Sequence, residues 1–183
     1  MTKETHKTGG LFLSTMLILH NFSKLINNVN NIPFAVVILS AFFYFAVIGS
    51  YFPDIDLKSS YISKRYPLLW NVLGKNTEHR SFTHSIICVI LIIIFSLYLY
   101  KVSDNNILLK AMTDGFITGY ISHIFLDVFN SQGVRLLWPL KIKIKFSNIL
   151  AGSSMEKTIN TALKILTVLL ILKEVLHMKM FLS

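Results

Sequence analysis

Charge and cysteine are both scarce in this chain. Asp, Glu, Lys and Arg make up 15% of its 183 residues, whereas soluble domains carry about 25%. The single cysteine, Cys88, excludes an internal disulfide framework. Acidic residues are the rarer sign, with nine against 18 basic ones, for a net charge of +9. No basic stretch is interleaved with aromatic residues in a soluble module, so we expect no nucleic acid partner.

Apolar sequence is abundant instead, at 53% of the residues and a mean hydropathy of +0.58. Crossing a bilayer takes about 20 mostly apolar residues, and five stretches approach that length. They are residues 6–25, 33–52, 83–100, 107–129 and 159–176. No small-residue cleavage site follows the first, so we expect a span there and not a secretory signal. The last contains Lys164, Lys173 and Glu174, so it either crosses the bilayer or lies in the interface.

The sequence therefore predicts an all-α protein, a polytopic membrane helical bundle of four or five spans. We expect a single membrane-embedded domain over residues 1–183, because there is no repeat and no linker of low complexity. If the spans alternate, the N-terminus and residues 53–82 and 130–158 lie on one side. Twelve of the 18 Lys and Arg residues fall there, which makes that side the cytoplasm.

The same side collects most of the residues that could carry chemistry. They are His6, Asp54, Asp56, Glu78, His79, Arg80, His84, His123 and Asp127. His123 and Asp127 are four residues apart and share one face of a helix. Ionisable groups inside a span are costly and usually face a partner. A metal cation would satisfy both groups, and the alternative is a hydrogen-bonded pair that braces the bundle.

Two further segments add candidate ligands. Pro53 should end the second span, and in an extended loop Asp54 and Asp56 would point the same way. Two such anions repel unless a cation lies between them, although a solvated loop remains the alternative. Further along, one histidine at the head of the third span could ligate while Arg80 neutralises a phosphate or reaches lipid head groups. Histidine and aspartate without cysteine suit zinc, manganese or iron.

Five segments, in this order, resemble the YdjM-like family of inner-membrane, metal-dependent hydrolases, described as regulated by LexA. They are residues 5–10, 53–56, 79–85, 119–127 and 133–139. Ser81 and Asn130 depart from the family pattern, but neither is a candidate ligand. Residues 152–156 look like a later Gly-Ser-x-x-Glu segment of that family, which nominates Glu156 as a further ligand or base. The resemblance implies a protein of the bacterial inner membrane, and together with the distribution of basic residues it predicts a multi-pass protein whose site faces the cytoplasm.

The order of these ligands is also similar to the zinc-dependent phospholipase C and single-strand nuclease superfamily. That similarity implies that Asp54 or Asp56 holds one metal ion with His84, His123 and Asp127. Asp127 would then bridge to a second ion held by His6. The superfamily's later paired histidines are missing here, so we expect one or two ions.

We therefore expect a metal-dependent hydrolase that uses metal-activated water on an ester or phosphodiester of a lipid-like substrate taken from the membrane. The expected metal ligands are His6, Asp54, Asp56, His84, His123, Asp127 and Glu156. His79 and Glu78 are candidate acid–base groups, and Arg80 and Lys58 are candidate phosphate contacts. Zinc is the expected ion, with manganese or iron as alternatives.

Three other readings of the same residues lead to different functions. The rival hypothesis is a non-catalytic membrane factor of an envelope or DNA-damage response, in which the metal is structural. A metal-free lipid phosphatase would need an arginine shortly before His123, and residues 111–122 contain none. A small transporter would need a polar path, which the second and third stretches do not offer.

Overall fold

Long helices form the frame of the protein, and short helical turns connect two of them. The computed structural model describes residues 1–27 and 31–182, with the side chains of 1–20 and 31–176. The elements are α1 (Lys3–Asn27), α2 (Ile32–Gly49), a 3-10 turn (Phe52–Asp56), α3 (Tyr61–Arg65), α4 (Pro67–Leu69), a π-helical turn (Trp70–Gly74), a second 3-10 turn (Phe82–His84), α5 (Ile86–Val102), α6 (Ile107–Val128) and α7 (Ser154–Leu182). Within those ranges there is no strand, only the isolated bridges Asn130–Ile149 and Val134–Ile144. The all-α prediction is confirmed for the described residues.

Polar side chains begin the apolar helices where the sequence changes from loop to hydrophobic run. The side chain of Asn31 accepts from the backbone of α2, which also carries proline in its first turn. Ser85 accepts from the N–H of Cys88 at 3.2 Å at the start of α5. Asn106 accepts from Leu108 and Leu109 at the start of α6. Each cap satisfies N–H groups that a helix leaves without partners.

Helix α6 lies at the centre of the bundle. It packs along α2 more extensively than any other described pair of elements pack, and it also contacts α1 and α5. Glycine allows this close approach, because a Cβ atom on Gly119 would collide with the carbonyl oxygen of Ala46 and lie 2.7 Å from the backbone nitrogen of Ser50. Small residues at helix crossings are typical of membrane bundles. The crossing brings the end of α2 against the half of α6 that contains His123.

The described helix ends correct two sequence-based expectations. The second apolar stretch ends as a helix at Gly49, and Asp54 and Asp56 lie in a 3-10 turn. The extended loop expected there was wrong, because proline fits the first turn of a helix as readily as it ends one. Helix α7 is also longer than the stretch 159–176, since it begins at Ser154 and ends at Leu182. A single domain over residues 1–183 stays a prediction.

Length and apolar composition together single out one candidate span among the described residues. This candidate is α2. Helix α5 is also apolar, but at 17 residues it is shorter than α2. By this measure the predicted number of four or five spans is not confirmed.

The contact between Gly119 and the end of α2 should limit what residue 119 can be. We expect Gly119→Val to lower the free energy of unfolding by about 1–3 kcal/mol, because the added methyl groups meet backbone atoms that cannot move aside. Thermal unfolding of the purified protein in detergent would measure the change. Ala162→Val, at an exposed position on α7, is the control. Equal midpoints for both variants would contradict the close packing.

Candidate metal centre

Three elements bring the candidate ligands to one place at the end of α6. His123 and Asp127 lie one turn apart on α6, and both side chains are fully buried. His84 ends the second 3-10 turn and is also fully buried. Asp54 lies in the first 3-10 turn, with a quarter of its side chain exposed. The site is thus assembled from residues far apart in sequence.

Four donor atoms converge at this site. The Nε2 atoms of His84 and His123 are 3.2 Å apart. Oδ2 of Asp127 lies 3.7 and 3.8 Å from these two nitrogens, and Oδ1 of Asp54 lies 3.9 and 3.6 Å from them. All four atoms lie within 4.8 Å of one another. Ligands at zinc bond lengths of about 2.1 Å in a tetrahedron are about 3.4 Å apart, so the spacing fits such an ion.

Hydrogen bonds on the far side of each ring determine which nitrogen faces the cluster. Nδ1–H of His123 donates to the carbonyl oxygen of Ser50 at 2.8 Å, so its Nε2 carries a lone pair. The hydroxyl of Thr83 donates to Asp56 at 2.7 Å, which leaves its oxygen to accept from Nδ1–H of His84 at 3.1 Å. Both Nε2 atoms then present lone pairs to each other. Such an approach is repulsive unless a cation lies between them, and metal-bound histidines are held by similar partners.

Asp56 orients its neighbours. Its Oδ2 accepts from the N–H of Arg80 at 2.9 Å and from the Thr83 hydroxyl. Its Oδ1 lies 2.7 Å from Nδ1 of His79. Burial raises the pKa of Asp56, but hydrogen bonds from His79 and His84 outweigh it and hold the pKa well below its usual range. The carboxylate is therefore ionised and fixes two histidine rings. Asp54, Asp56 and His79 form a second group with ligand spacing.

His6 approaches the opposite oxygen of Asp127. Its ring stacks on that of His123 with centroids 3.7 Å apart. Its Nε2 is 3.3 Å from Oδ1 of Asp127, and the amino group of Met1 is 2.7 Å from the same oxygen. Among the described residues neither ring nitrogen of His6 has a well-aligned hydrogen-bond partner, although both are buried. Asp127 therefore faces His6 with one oxygen and the four-donor cluster with the other, which suits a bridging carboxylate.

Arg80 enters the site from an unusual backbone conformation. Its φ of 62° lies in the left-handed region, where residues with a side chain are strained. The N–H bond to Asp56 and a bond from Arg135 to its carbonyl oxygen, at 3.1 Å, hold it there. Nη2 is 3.0 Å from Oδ2 of Asp127. Nε and Nη1 are buried and lack partners within the described chain, so two donors remain for an anion.

Three other predicted residues lie around the cluster. Glu78 is exposed and forms an ion pair with Arg135. The side chain of His79 is 30% exposed and lies between Asp56 and solvent. Lys58 places its Nζ atom 5.4 Å from the centroid of the Trp70 ring. The structure thus brings His79 to the edge of the site, whereas Glu78 and Lys58 have partners of their own.

Glu156 joins the beginnings of α1 and α7. Its carboxylate accepts from the N–H groups of Thr2 and Gly152, each at 2.5 Å, and from the Thr2 hydroxyl. Burial raises the pKa of Glu156, but these hydrogen bonds have the larger combined effect and lower it. Glu156 is not in either group of residues with ligand spacing. Its contacts position the N-terminal turn that carries His6.

Sequence reasoning missed three supporting groups. The carbonyl oxygen of Ser50 leaves no signal in the sequence, because any residue supplies one. Thr83 stands beside His84, but its role depends on the turn that both share. Tyr120 donates its hydroxyl to the carbonyl oxygen of Thr83, and its place three residues before His123 is a signal that helical spacing could have revealed.

Comparisons with known proteins agree with the resemblance noted in the sequence. A family model described as YdjM inner membrane protein matches residues 1–180. Inner membrane protein YdjM of Escherichia coli (strain K12) is 28% identical over 120 residues, which are 64% of this chain and 60% of that protein. The uncharacterized protein YvsG of Bacillus subtilis (strain 168) is 31% identical over 98 residues, 54% of this chain and 57% of that protein. The matched part therefore spans about three fifths of these relatives, and no solved structure matches.

The two aspartates of the first 3-10 turn should differ in how they affect metal binding. We expect Asp56→Asn to weaken zinc binding about 10–100-fold without lowering the amount bound at saturation, because Asp56 holds the His84 ring and is not one of the four converging donors. Asp54→Asn should lower the bound amount, since it removes a donor. Competition with a zinc chelator would measure both. Asp114→Asn alters an exposed ion pair on α6 and is the control; if Asp56→Asn behaved like it, the orienting role would be wrong.

Proposed function

The chain belongs to the YdjM family of inner membrane proteins, and from that premise we propose that it is a membrane-bound metal-dependent hydrolase. Its substrate would be a lipid-like molecule, cleaved at an ester or a phosphodiester. The observation that supports this best is the pair of Nε2 atoms 3.2 Å apart, with two carboxylates beside them. This arrangement is costly without a cation.

The donor set fits a divalent ion. Two carboxylates offset its charge, and two neutral imidazoles complete a set of nitrogen and oxygen ligands typical of zinc, with manganese or iron as alternatives. Asp54, His84, His123 and Asp127 would hold one ion, and His6 with the second oxygen of Asp127 would hold another. A bound ion of this kind polarises a carbonyl or phosphoryl oxygen and makes water acidic enough to attack near neutral pH.

The protein's own residues would complete the reaction at the exposed side of the cluster. Because Nδ1–H of His79 donates to the ionised Asp56, its Nε2 is left as the basic atom. From there it can take a proton from an attacking water and return it to a leaving alcohol. The free Nε–H and Nη1–H groups of Arg80 can donate to oxygens of a phosphoryl group. Glu78 would act indirectly, through its ion pair with Arg135.

Exposed apolar helix faces support four or five crossings. On α5, Ile90, Leu91 and Ile94 are each about half exposed, and on α7 Leu169 and Leu172 are equally so. Helix faces that expose several large apolar side chains next to one another are rare on soluble proteins and are expected where helices face lipid. With alternating crossings, the metal cluster lies on the same side as most basic residues, which we assign to the cytoplasm. The location would be the bacterial inner membrane.

One observation favours the rival function. Four protein ligands around one ion are typical of structural zinc sites, whereas catalytic sites leave a position open. A non-catalytic membrane factor of an envelope or DNA-damage response with a structural metal would look similar. Asp54 distinguishes the two, since it is the one partly exposed ligand of the four. In an enzyme, substrate or water would share or take its place.

Removing the ligands should remove metal and activity together. We expect the purified protein to bind zinc and to hydrolyse bis-p-nitrophenyl phosphate or bacterial phospholipids when zinc or manganese is added. His123→Ala and Asp127→Asn should lose the metal and lower the rate by about 10²-fold or more, the size of effect typical of a single catalytic group. His20→Ala, exposed on α1, should keep both. Metal quantitation and initial rates would measure this.

Two outcomes would decide against the enzyme. Equal metal content in wild type and in the His123→Ala variant would show that the proposed ligands do not hold the metal. Loss of metal with a lower unfolding temperature, but without hydrolysis of any tested ester by the wild type, would favour the structural rival.

The proposed topology can be tested with single cysteines in a Cys88→Ser background. We expect Lys58→Cys and Asn148→Cys to be protected in intact cells from a membrane-impermeant maleimide, because both lie on the cytoplasmic side. Ser103→Cys, between α5 and α6, should be labelled from outside. Permeabilised cells provide the control, in which all three should react. Labelling of residue 58 and not of residue 103 in intact cells would reverse the orientation.

A further inference from the structure

A cavity of about 380 Å³ opens beside the four-donor cluster, and cationic side chains surround it. Its walls are His79, Arg80, Lys143, Lys145 and the turn formed by residues 131–133. None of these described lining residues is acidic. Arg80 contacts Asp127 of the four-donor cluster, and His79 contacts Asp56 next to it. The cavity therefore adjoins the candidate metal centre.

The local backbone explains why two lysines face the cavity. Val134 and Ile144 exchange backbone hydrogen bonds of 3.0 and 2.8 Å, which hold two segments of the loop side by side. Gly133 makes the turn possible, since its φ is 65° and a Cβ atom would approach the carbonyl oxygen of Ile144 to 2.9 Å. Side chains alternate along an extended segment. Lys143 and Lys145, on either side of Ile144, therefore point to the same side.

The two lysines of this cavity have no acidic partner among the described residues. Lys143 makes no hydrogen bond or ion pair within the part of the chain that the structure describes, and Lys145 contacts only the neutral side chain of Asn148, at 3.1 Å. Nε and Nη1 of Arg80 are buried without partners in the described chain. Like charges gathered around a concave site attract and concentrate an anion. Two lysines without an ionic partner, together with the free N–H groups of Arg80, suit a phosphate with two negative charges.

Exposed apolar side chains next to the lysines point to a lipid as the source of that phosphate. Leu140 is 55% exposed, Ile142 57% and Phe146 74%. They alternate with Lys141, Lys143 and Lys145 in the sequence. Segments of this kind lie at the membrane interface, with apolar side chains among acyl chains and lysines at the level of the head groups. A soluble phosphate would gain nothing from these residues.

We propose that this cavity binds the head group of an anionic membrane lipid that ends in a dianionic phosphate. Lys143 and Lys145 are its specificity residues, and Arg80 connects the bound phosphate to the metal cluster. The acyl chains leave past Ile142 and Phe146. The link to catalysis rests on the proposed function, because a lipid held here has its ester and phosphoester bonds close to His79 and Arg80. The binding itself does not require hydrolysis.

Calorimetric titration of the full chain in detergent tests the site. The probe is dioctanoyl phosphatidic acid, with dioctanoyl phosphatidylcholine and glycerol 3-phosphate as comparisons. Wild type should bind phosphatidic acid at least about tenfold more tightly than either, as expected for charge-assisted contacts. The double variant Lys143→Gln, Lys145→Gln should lose that preference. Lys141→Gln is the matched control, because Lys141 is exposed on the same segment but does not line the cavity.

Several results would overturn the proposal. Equal losses in Lys141→Gln and in the double variant would show a diffuse surface charge, and equal binding of phosphatidylcholine would show no head-group selection. If glycerol 3-phosphate bound as tightly as phosphatidic acid, the acyl chains would contribute nothing and the ligand would not be a lipid. If the double variant unfolds, Lys143→Gln and Lys143→Arg replace it, and the Arg variant should retain binding.

These experiments distinguish a failure of the lipid-binding proposal from a failure of the proposed hydrolase function. Selective binding by the His123→Ala variant, together with no hydrolysis by wild type, would support the cavity and reject the proposed function. Metal-dependent hydrolysis that is unchanged in the double lysine variant, and equal for neutral lipids, would support the function and reject the cavity as its substrate site.

Discussion

The close approach of α2 to α6 is the constraint on which the site depends. Glycine at position 119 lets α6 lie against the backbone at the end of α2, and that contact places the Ser50 carbonyl oxygen within 2.8 Å of the His123 ring. The 3-10 turn that follows α2 then brings Asp54 to the other side of the same ring. Helix packing therefore determines both the tautomer of one candidate ligand and the position of another. A buried group of carboxylates and imidazoles can form only where packing leaves so little freedom.

Much of the site could be predicted from the order of a few residues. His123 and Asp127 are four apart in an apolar stretch, and the predicted alternation of spans was expected to bring His6, Asp54 and His84 to the same level. These residues do lie together, and either Asp54 or Asp56 was expected beside His84, His123 and Asp127. The residues contained the necessary information because a charged group in an apolar helix needs a partner, and partners are few in a chain with nine acidic residues.

Other features could not be read from the sequence. Asp54 and Asp56 were expected to point the same way, but in a 3-10 turn they serve different neighbours, one the four-donor cluster and the other His79 and Thr83. The left-handed conformation of Arg80 depends on hydrogen bonds from two distant segments. Lys143 and Lys145 looked like ordinary basic residues, because the bridge between Val134 and Ile144 that turns them toward one cavity has no local signature. Tertiary context decided each case.

The hydrogen bond that His123 donates to residue 50 is accepted by a main-chain carbonyl oxygen, and this affects how the protein can change over evolutionary time. Alanine at that position would keep the acceptor, although it would lose the bond that the Ser50 hydroxyl donates to Val47. A larger side chain at position 50 would not fit, because α1 packs closely against it. Even a Cβ atom on Gly10 would lie 2.9 Å from the Cβ atom of Ser50. Position 50 should therefore drift among small residues while the geometry it enforces persists. A residue that supports the candidate metal centre can thus vary in identity between relatives and still perform the same task.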